Sequence, residues 1–435
     1  MKPFTDQLAL TVIAPIDEAK RASLETILAA IEADVEANLI IPFKQLPGVH
    51  FARLVILPAF TDNQNRTTPA QLAYSCNFDT SLDVHLQEIT SPATLAGFHR
   101  VFGCCTGYNA SGSPEKAIRQ FVHNHKQPIQ TFYRGHRGMS VSQIQDENGV
   151  RTLIQEYLEQ PQTANQTANQ LKAGIDAYIA RHKPGWRPTA DVKLPHLAAS
   201  AVKYVGIGLL VLLFVLIGWL LGWWGIVGFL LAVALGVLYL RYLEKKAIPL
   251  SEGDITFEDV EALTEREDLV VQNQLTHLIE LQPGLFRRSL QRLALGALQL
   301  LATYTYNQGR LGDIGTIHFA RWLLIDRGKR LLFFSNFDGS WENYLGDFVD
   351  RAAVGLTLAW SNTQEFPRTR FLILDGATDE ERFKQWTRKH QILTQVWYSA
   401  YKGLTVKNII QNHAIVRGIG QPMTPRQTAD WLTLL

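Results

Sequence analysis

The hydrophobic pattern breaks most sharply at Tyr204–Leu240, a stretch of 37 residues without a charge, bracketed by Lys203 and Arg241. One bilayer crossing needs about 20 apolar residues, so the run is too long for one ordinary span and suits two. It predicts a transmembrane helical hairpin. Gly222-Trp223-Trp224-Gly225 supplies the turn, with glycines to reverse the chain and tryptophans suited to the headgroup boundary.

Outside that run the apolar positions alternate between a period of two and a helical period. In the first half, Leu8–Pro15, Val49–Leu57 and Gln71–Phe78 read as strands. Asp17–Ala37 carries Leu24, Ile27, Leu28 and Ile31 at helical spacing. Ser81–Phe102 reads as a helix broken near Pro92, Pro114–His125 as a helix with proline in its first turn, and Gln130–Tyr133 as the closing strand. That order, β-α-β-β-α-β with additions, is the ferredoxin-like pattern. The second half follows suit. Strands are expected at Gln274–Leu281, Thr316–Ile325, Arg330–Phe337, Arg370–Leu374 and Gln395–Tyr401, and helices at Leu285–Tyr306, Trp341–Leu358 and Asp379–His390.

The halves also match residue by residue. His50-Phe51-Ala52-Arg53 recurs as His318-Phe319-Ala320-Arg321, and Asn77-Phe78-Asp79 as Asn336-Phe337-Asp338. A constant shift of 265 pairs Glu115 with Glu380, His125 with His390, Gln130 with Gln395, Tyr133 with Tyr398, Gly138 with Gly403 and Val141 with Val406. The chain therefore reads as a tandem duplication of class α+β with the hairpin inserted between the copies. The expected divisions are a first repeat at 1–158, a linker and short helix at 159–196, and the hairpin at 197–246. A connector at 247–270, a second repeat at 271–420 and a tail at 421–435 complete them. The linker opens with the low-complexity stretch QPQTANQTANQ, and Leu250–Asp268 reads as an acidic connector. The Leu285–Tyr306 helix, basic at Arg287, Arg288 and Arg292 and then almost wholly apolar, fits a helix lying in the membrane interface, or else a plain core helix.

Composition changes the picture in three ways. The 42 basic and 40 acidic side chains nearly cancel, so no global field points to nucleic acid. Basic residues flank the hairpin, with Lys183, Arg187, Lys193 and Lys203 before it and Arg241, Lys245 and Lys246 after it. Such flanks stay cytoplasmic, and two spans return the chain to its starting side. Both soluble halves are therefore expected at the cytoplasmic face of the inner membrane. MKPFTDQLAL has no apolar core of signal-peptide length, so the hairpin itself would direct insertion. Cys76, Cys104 and Cys105 have no zinc spacing and read as small packing residues in a reducing compartment. His123, His125 and His136 lack carboxylates or thiols in a ligand pattern, so no metal is assigned there.

No P-loop, GxSxG, HExxH or paired CxxC motif is present. Strand alternation sets His50 and Ala52 opposite Phe51 and Arg53, and likewise at His318–Arg321. A buried arginine needs a partner, which suggests Arg53 with Asp79 and Arg321 with Asp338. Asp79 and Asp338 also stand where helices begin, so helix capping competes. Features present in both copies serve the common fold most readily; a single site is expected in the second copy, which alone has Gly339, Trp341, Trp360-Ser361-Asn362, Arg368 and Arg370.

The arrangement resembles the dimeric α+β barrel superfamily, in which two ferredoxin-like units pack sheet to sheet as a pseudo-dimeric barrel. Dye-decolorising peroxidases, chlorite dismutase-like haem proteins and cofactor-free monooxygenases share that fold. Asp338-Gly339 after a strand resembles the end of the GxxDG motif of the dye-decolorising peroxidases, with Ser335 where the first glycine would stand. The resemblance implies haem, Asp338 as the proton shuttle, Arg321 or Arg370 stabilising charge on oxygen, and His390 or His318 on iron. Tyr398, with Trp397 and Tyr401, would relay electrons. These readings give a membrane-anchored, peroxidase-like oxidoreductase acting on a hydrophobic small molecule. The rival, from another class, is a non-catalytic membrane protein that binds lipid or a protein partner through its duplicated domain.

Overall fold

The computed structural model describes residues 6–62, 64–109, 111–192, 196–250, 257–306, 311 and 314–435. It is mixed α+β, built on two four-stranded antiparallel sheets. The strands are β1 (Leu8–Pro15), β2 (Val49–Leu57), β3 (Gln71–Phe78), β4 (Thr131–Arg134), β5 (Gln272–Glu280), β6 (Ile317–Ile325), β7 (Arg330–Asp338) and β8 (Val396–Ser399). One sheet has the order β1-β3-β2-β8 and the other β5-β7-β6-β4.

This order corrects one expectation. The strand after Pro114–His125 does not close its own sheet; β4 pairs with β6 of the second half, and β8 pairs with β2 of the first. Each half thus completes the other's sheet. The exchange is fixed by side chains as well as backbone: Gln130 Oε1 accepts from Leu324 N at 2.7 Å and Gln395 Oε1 from Ile56 N at 2.7 Å. It also covers the β2 and β6 edges, which would otherwise expose a row of unpaired backbone groups.

Strand alternation sorts the apolar residues into three layers. Leu54, Tyr74 and Phe78 face outward under the helices Arg21–Glu32, Leu82–Ile89 and Leu95–Phe102. Trp322, Phe333 and Phe337 do the same under Trp341–Trp360 and Glu380–His390. Val55, Leu57, Leu323, Ile325, Leu332 and Phe334 meet between the sheets. A side bundle packs Val141–Leu158, Ala168–His182, Val406–Arg417 and Pro425–Leu432 around Ile154, Ile179, Ile415 and Trp431. The low-complexity linker is partly ordered, because Thr167 and Gln170 form a capping box that starts a helix at Ala168.

The apolar stretch forms the helix Ala199–Lys246. It contains an 18-residue window of mean hydropathy 2.7, none of it buried in the protein. At Gly222 the backbone leaves helical geometry, with φ 65° and ψ −166°. The rings of Phe214 and Phe229 lie 5.6 Å apart, whereas 15 residues of straight helix would separate them by about 22 Å. The expected strand at Arg370–Leu374 is instead a small separate hairpin, Thr369–Arg370 paired with Leu374–Asp375. Part of the acidic connector, like Lys193, lies outside the described residues; Phe257–Thr264 within it is helical.

Candidate functional site

The polar residues that recur in both halves meet between the sheets. Bulges interrupt β2 between Val49 and Phe51 and β6 between Ile317 and Phe319. An extra residue in one strand redirects the side chains that follow. Simple alternation therefore fails here: His50 does not point away from the inter-sheet aromatics but lies 5.2 Å from the Phe319 ring, and His318 lies 5.3 Å from Phe51.

Each histidine is held by the aspartate of its own half. His50 Nε2 is 2.6 Å from Asp79 Oδ1, and His318 Nε2 is 2.7 Å from Asp338 Oδ1. The other carboxylate oxygens accept from Val141 N and Val406 N, each at 2.7 Å. Those amides open the helices Val141–Leu158 and Val406–Arg417, where a negative charge is favoured. The aspartates therefore do cap helices, but not the ones that follow them in sequence, which Ser81 and Ser340 cap.

The expected Arg–Asp pairs do not form. Arg53 donates to Asn336 Oδ1 at 2.6 Å, Ser335 O at 2.8 Å and Leu275 O at 3.0 Å, all on the opposite sheet. Arg321 reciprocates, donating to Asn77 Oδ1 at 2.7 Å and Leu10 O at 3.0 Å. A guanidinium fork satisfied by neutral oxygens suits the dry layer between the sheets. Burial pushes Arg321 down to about 10 and holds Arg53 well below the usual arginine range, Arg321 adding to the effect.

At the centre the two halves differ. His136 and Tyr401 stand at the 265-residue offset, and the Tyr401 hydroxyl lies 2.7 Å from His50 Nδ1 and 3.2 Å from His136 Nε2. One proton arrangement satisfies all of these contacts. His50 Nε2–H donates to Asp79, Tyr401 O–H donates to His50 Nδ1, and His136 Nε2–H donates to Tyr401. Nδ1 of His136 and Nδ1 of His318 then remain buried and without a partner among the described residues. Burial, with His50 and His318 nearby, holds the His136 pKa well below the usual histidine range. Burial and then the charges of Asp79 and Asp338 push the Tyr401 phenol well above its ordinary value.

Of the residues singled out from sequence, Asp338 and His318 are brought together, and Arg321 lies in the same layer facing the other sheet. The rest lie elsewhere. Arg370 sits on the exposed hairpin in an ion pair with Asp375 at 2.6 Å. Tyr398 stacks on Phe43 at 5.1 Å, on the helix side of its sheet, beside a polar cleft of about 470 Å³ lined by Glu36, Lys44 and Lys402. His390 pairs with Glu365 at 3.1 Å, near His277 and Trp386.

The Asp338 and His318 positions do not fit haem. Both Asp338 oxygens are occupied, His318 Nε2 is bound to Asp338, and the rings of Phe51, His136 and Tyr401 lie within 5.9 Å of the His318 ring. Among the described residues no group of three or more His, Cys, Asp or Glu side chains is placed to hold a metal ion.

Two features escaped sequence reasoning. Gln7 Nε2 donates to His136 O at 2.9 Å and Met139 O at 2.7 Å, while Gln272 Nε2 donates to Tyr401 O at 3.1 Å and Leu404 O at 2.5 Å. The 265-residue offset extends to these glutamines and could have found them. Cys76, read as packing, has its sulfur 3.3 Å from His85 Nε2, and His85 Nδ1 lies 3.5 Å from Glu88. Burial opposes charge on His85, but the Cys76 sulfur and Glu88 outweigh it and raise the imidazole to about 9. No spacing rule links Cys76 to His85, so nothing in the sequence signalled the pair. No protein-family model, no curated protein and no solved structure matches the chain.

Proposed function

We propose that the chain is a membrane-anchored protein whose body serves at the inner face of the cytoplasmic membrane to hold a lipid or a protein partner, without turning over a substrate. In this reading it reverses at Gly222, so that Ala199–Lys246 spans the bilayer as a two-helix hairpin. The soluble halves are two copies of one ferredoxin-like unit that exchange closing strands and pack sheet against sheet, both on the cytoplasmic side beside the basic flanks.

The observation that carries this is the unburied apolar surface of the helix, with Leu209, Leu220, Trp219, Trp223 and Trp224 all exposed. Soluble proteins rarely leave so large a contiguous apolar surface uncovered. The Leu285–Tyr304 helix adds Leu285, Leu293 and Leu300 on its exposed face, with Arg292 beside them, as an interfacial helix requires. Support for a non-catalytic role comes from the inter-sheet residues. The Arg53–Asn336 and Arg321–Asn77 bonds recur in both halves and join the sheets, the work expected of a shared structural element. Flotation of the purified protein with liposomes followed by an alkaline wash tests the anchor. Retention in the lipid fraction is expected, and release into the wash would remove this reading.

A second reading, a cofactor-free oxidoreductase for a hydrophobic small molecule, is favoured by the buried Nδ1 of His318, which has no partner among the described residues and would accept a proton from a bound hydroxyl. Oxygen uptake with hydrophobic phenols and quinols tests it. Turnover that disappears in His318→Gln would support it, and no uptake with any of them would remove it.

A further inference from the structure

The small hairpin Thr369–Asp375 is docked onto the base of the apolar helix. Glu244, buried near the end of that helix, accepts from Leu372 N at 2.9 Å, Phe371 N at 3.1 Å and Thr369 Oγ1 at 3.1 Å. Arg241 pairs with Glu244, donates to Thr369 O at 3.0 Å and lies 5.1 Å over the Phe371 ring.

The turn that these contacts hold is unusual in sequence. Phe371 and Leu372 have φ of 56° and 66°, and Ile373 N bonds back to Arg370 O at 3.4 Å. Two successive left-handed residues are the mark of a tight hairpin turn that asparagine and glycine occupy at least cost. Bulky apolar residues there are strained, and such strain persists where the surroundings impose it. The turn exposes Phe371, Ile373 and Leu374, while Leu372 tucks in and Arg370 flanks the tip. Water gives no reason to present three large apolar side chains on a strained turn.

We infer that Phe371, Ile373 and Leu374 form a wedge that enters the interfacial region of the same phospholipid bilayer that holds the hairpin, fixing the soluble body against the membrane. The occupant follows from continuity. The tip is bonded to Arg241 and Glu244, immediately beyond the last residue of the uncharged stretch, so a bilayer around the helix reaches the tip as well. Apolar side chains beside basic ones suit that depth, where a ring or aliphatic chain enters the acyl boundary and a guanidinium stays among headgroups.

The inference rests on the anchor proposed above, and its test separates the two. Full-length protein is reconstituted into vesicles of phosphatidylcholine with a minority of phosphatidylglycerol. An environment-sensitive fluorophore is attached to one introduced cysteine at a time: Ile373→Cys, Leu374→Cys, Leu216→Cys in the apolar helix, or Glu115→Cys on the helix over the first sheet. The native cysteines are buried, which keeps background labelling low. Blue-shifted emission at 373 and 374, quenched by lipids with spin labels high in the acyl chain, is expected together with deep quenching at 216 and none at 115. A lipid signal at 216 with water-like emission at 373 and 374 would overturn the wedge and leave the anchor standing. Water-like emission at 216 would overturn both.

Discussion

His50 and Tyr401, separated by 351 residues, meet at 2.7 Å between the sheets, and the same hydroxyl lies 3.2 Å from His136. The three come from strands or loops that only the assembled pair of sheets brings together. Tyr401→Phe keeps the ring but leaves His50 Nδ1 and His136 Nε2 buried without a partner. Such groups cost roughly 1–3 kcal/mol each. A loss of about 2–6 kcal/mol in guanidinium unfolding in detergent is expected, and an unchanged midpoint would show that the hydroxyl does not join the halves.

Arg321 and Asn77 provide a sharper test of the joint between sheets, since each bonds across the gap. Arg321→Leu and Asn77→Leu are each expected to destabilise, and the double variant by less than the sum. A coupling of about 0.5–3 kcal/mol is the range for residues in direct contact within one network. The matching cycle on Arg53 and Asn336 should give a similar value. Additive effects in both cycles would mean that the arginines are held by backbone carbonyls alone.

Much of the fold was legible because its signals are local. Val49–Leu57, Gln71–Phe78 and Pro114–His125 have the bounds that alternation and proline placement imply. The recurring His-Phe-Ala-Arg and Asn-Phe-Asp blocks pointed to the paired His, Arg, Asn and Asp residues. What stayed hidden depends on the partner sheet. A bulge at His50 reverses the face that alternation assigns, and β4 and β8 choose between two edges that look alike from sequence. Charge complementarity suggested Arg–Asp pairs, but the aspartates are already engaged by helix amides and histidines, so the arginines turn to asparagine and carbonyl oxygens across the gap.

Stability should depend on pH through the buried imidazoles. Burial depresses the pKa of His136 and, with His390 adding to it, of His277. In the unfolded chain each binds a proton below about pH 6.5, whereas the folded protein does not. The unfolded state thus holds more protons, and stability falls as pH drops below that value, by up to about 1.4 kcal/mol per unit for each group. His136→Gln keeps a donor for Tyr401 and removes one titration. The slope between pH 6.5 and 5 should lessen by one proton's worth, and an unaltered slope would place the titration elsewhere.

Haem should not bind at His318. With both Asp338 oxygens and His318 Nε2 engaged, a haem would have to displace three aromatic or imidazole rings to reach the iron-binding nitrogen. Spectra of the detergent-purified protein before and after adding haemin are expected to differ only by free haemin. A sharp Soret band that shifts with peroxide and weakens in His318→Ala would reverse that conclusion.

Gly222 gives a prediction whose sign depends on the shape of the apolar helix. In a straight helix, replacing glycine by alanine stabilises by about 1 kcal/mol, because alanine has less backbone freedom to lose. At φ 65° and ψ −166° an added Cβ is strained, since that region is essentially reserved for glycine and other residues there cost about 1–3 kcal/mol. Gly222→Ala should therefore lower the unfolding midpoint in bilayer-like nanodiscs, while Gly228→Ala, within the second arm, should raise it slightly. If both raise it, the chain runs straight through Gly222, and the contact between Phe214 and Phe229 does not exist in the bilayer.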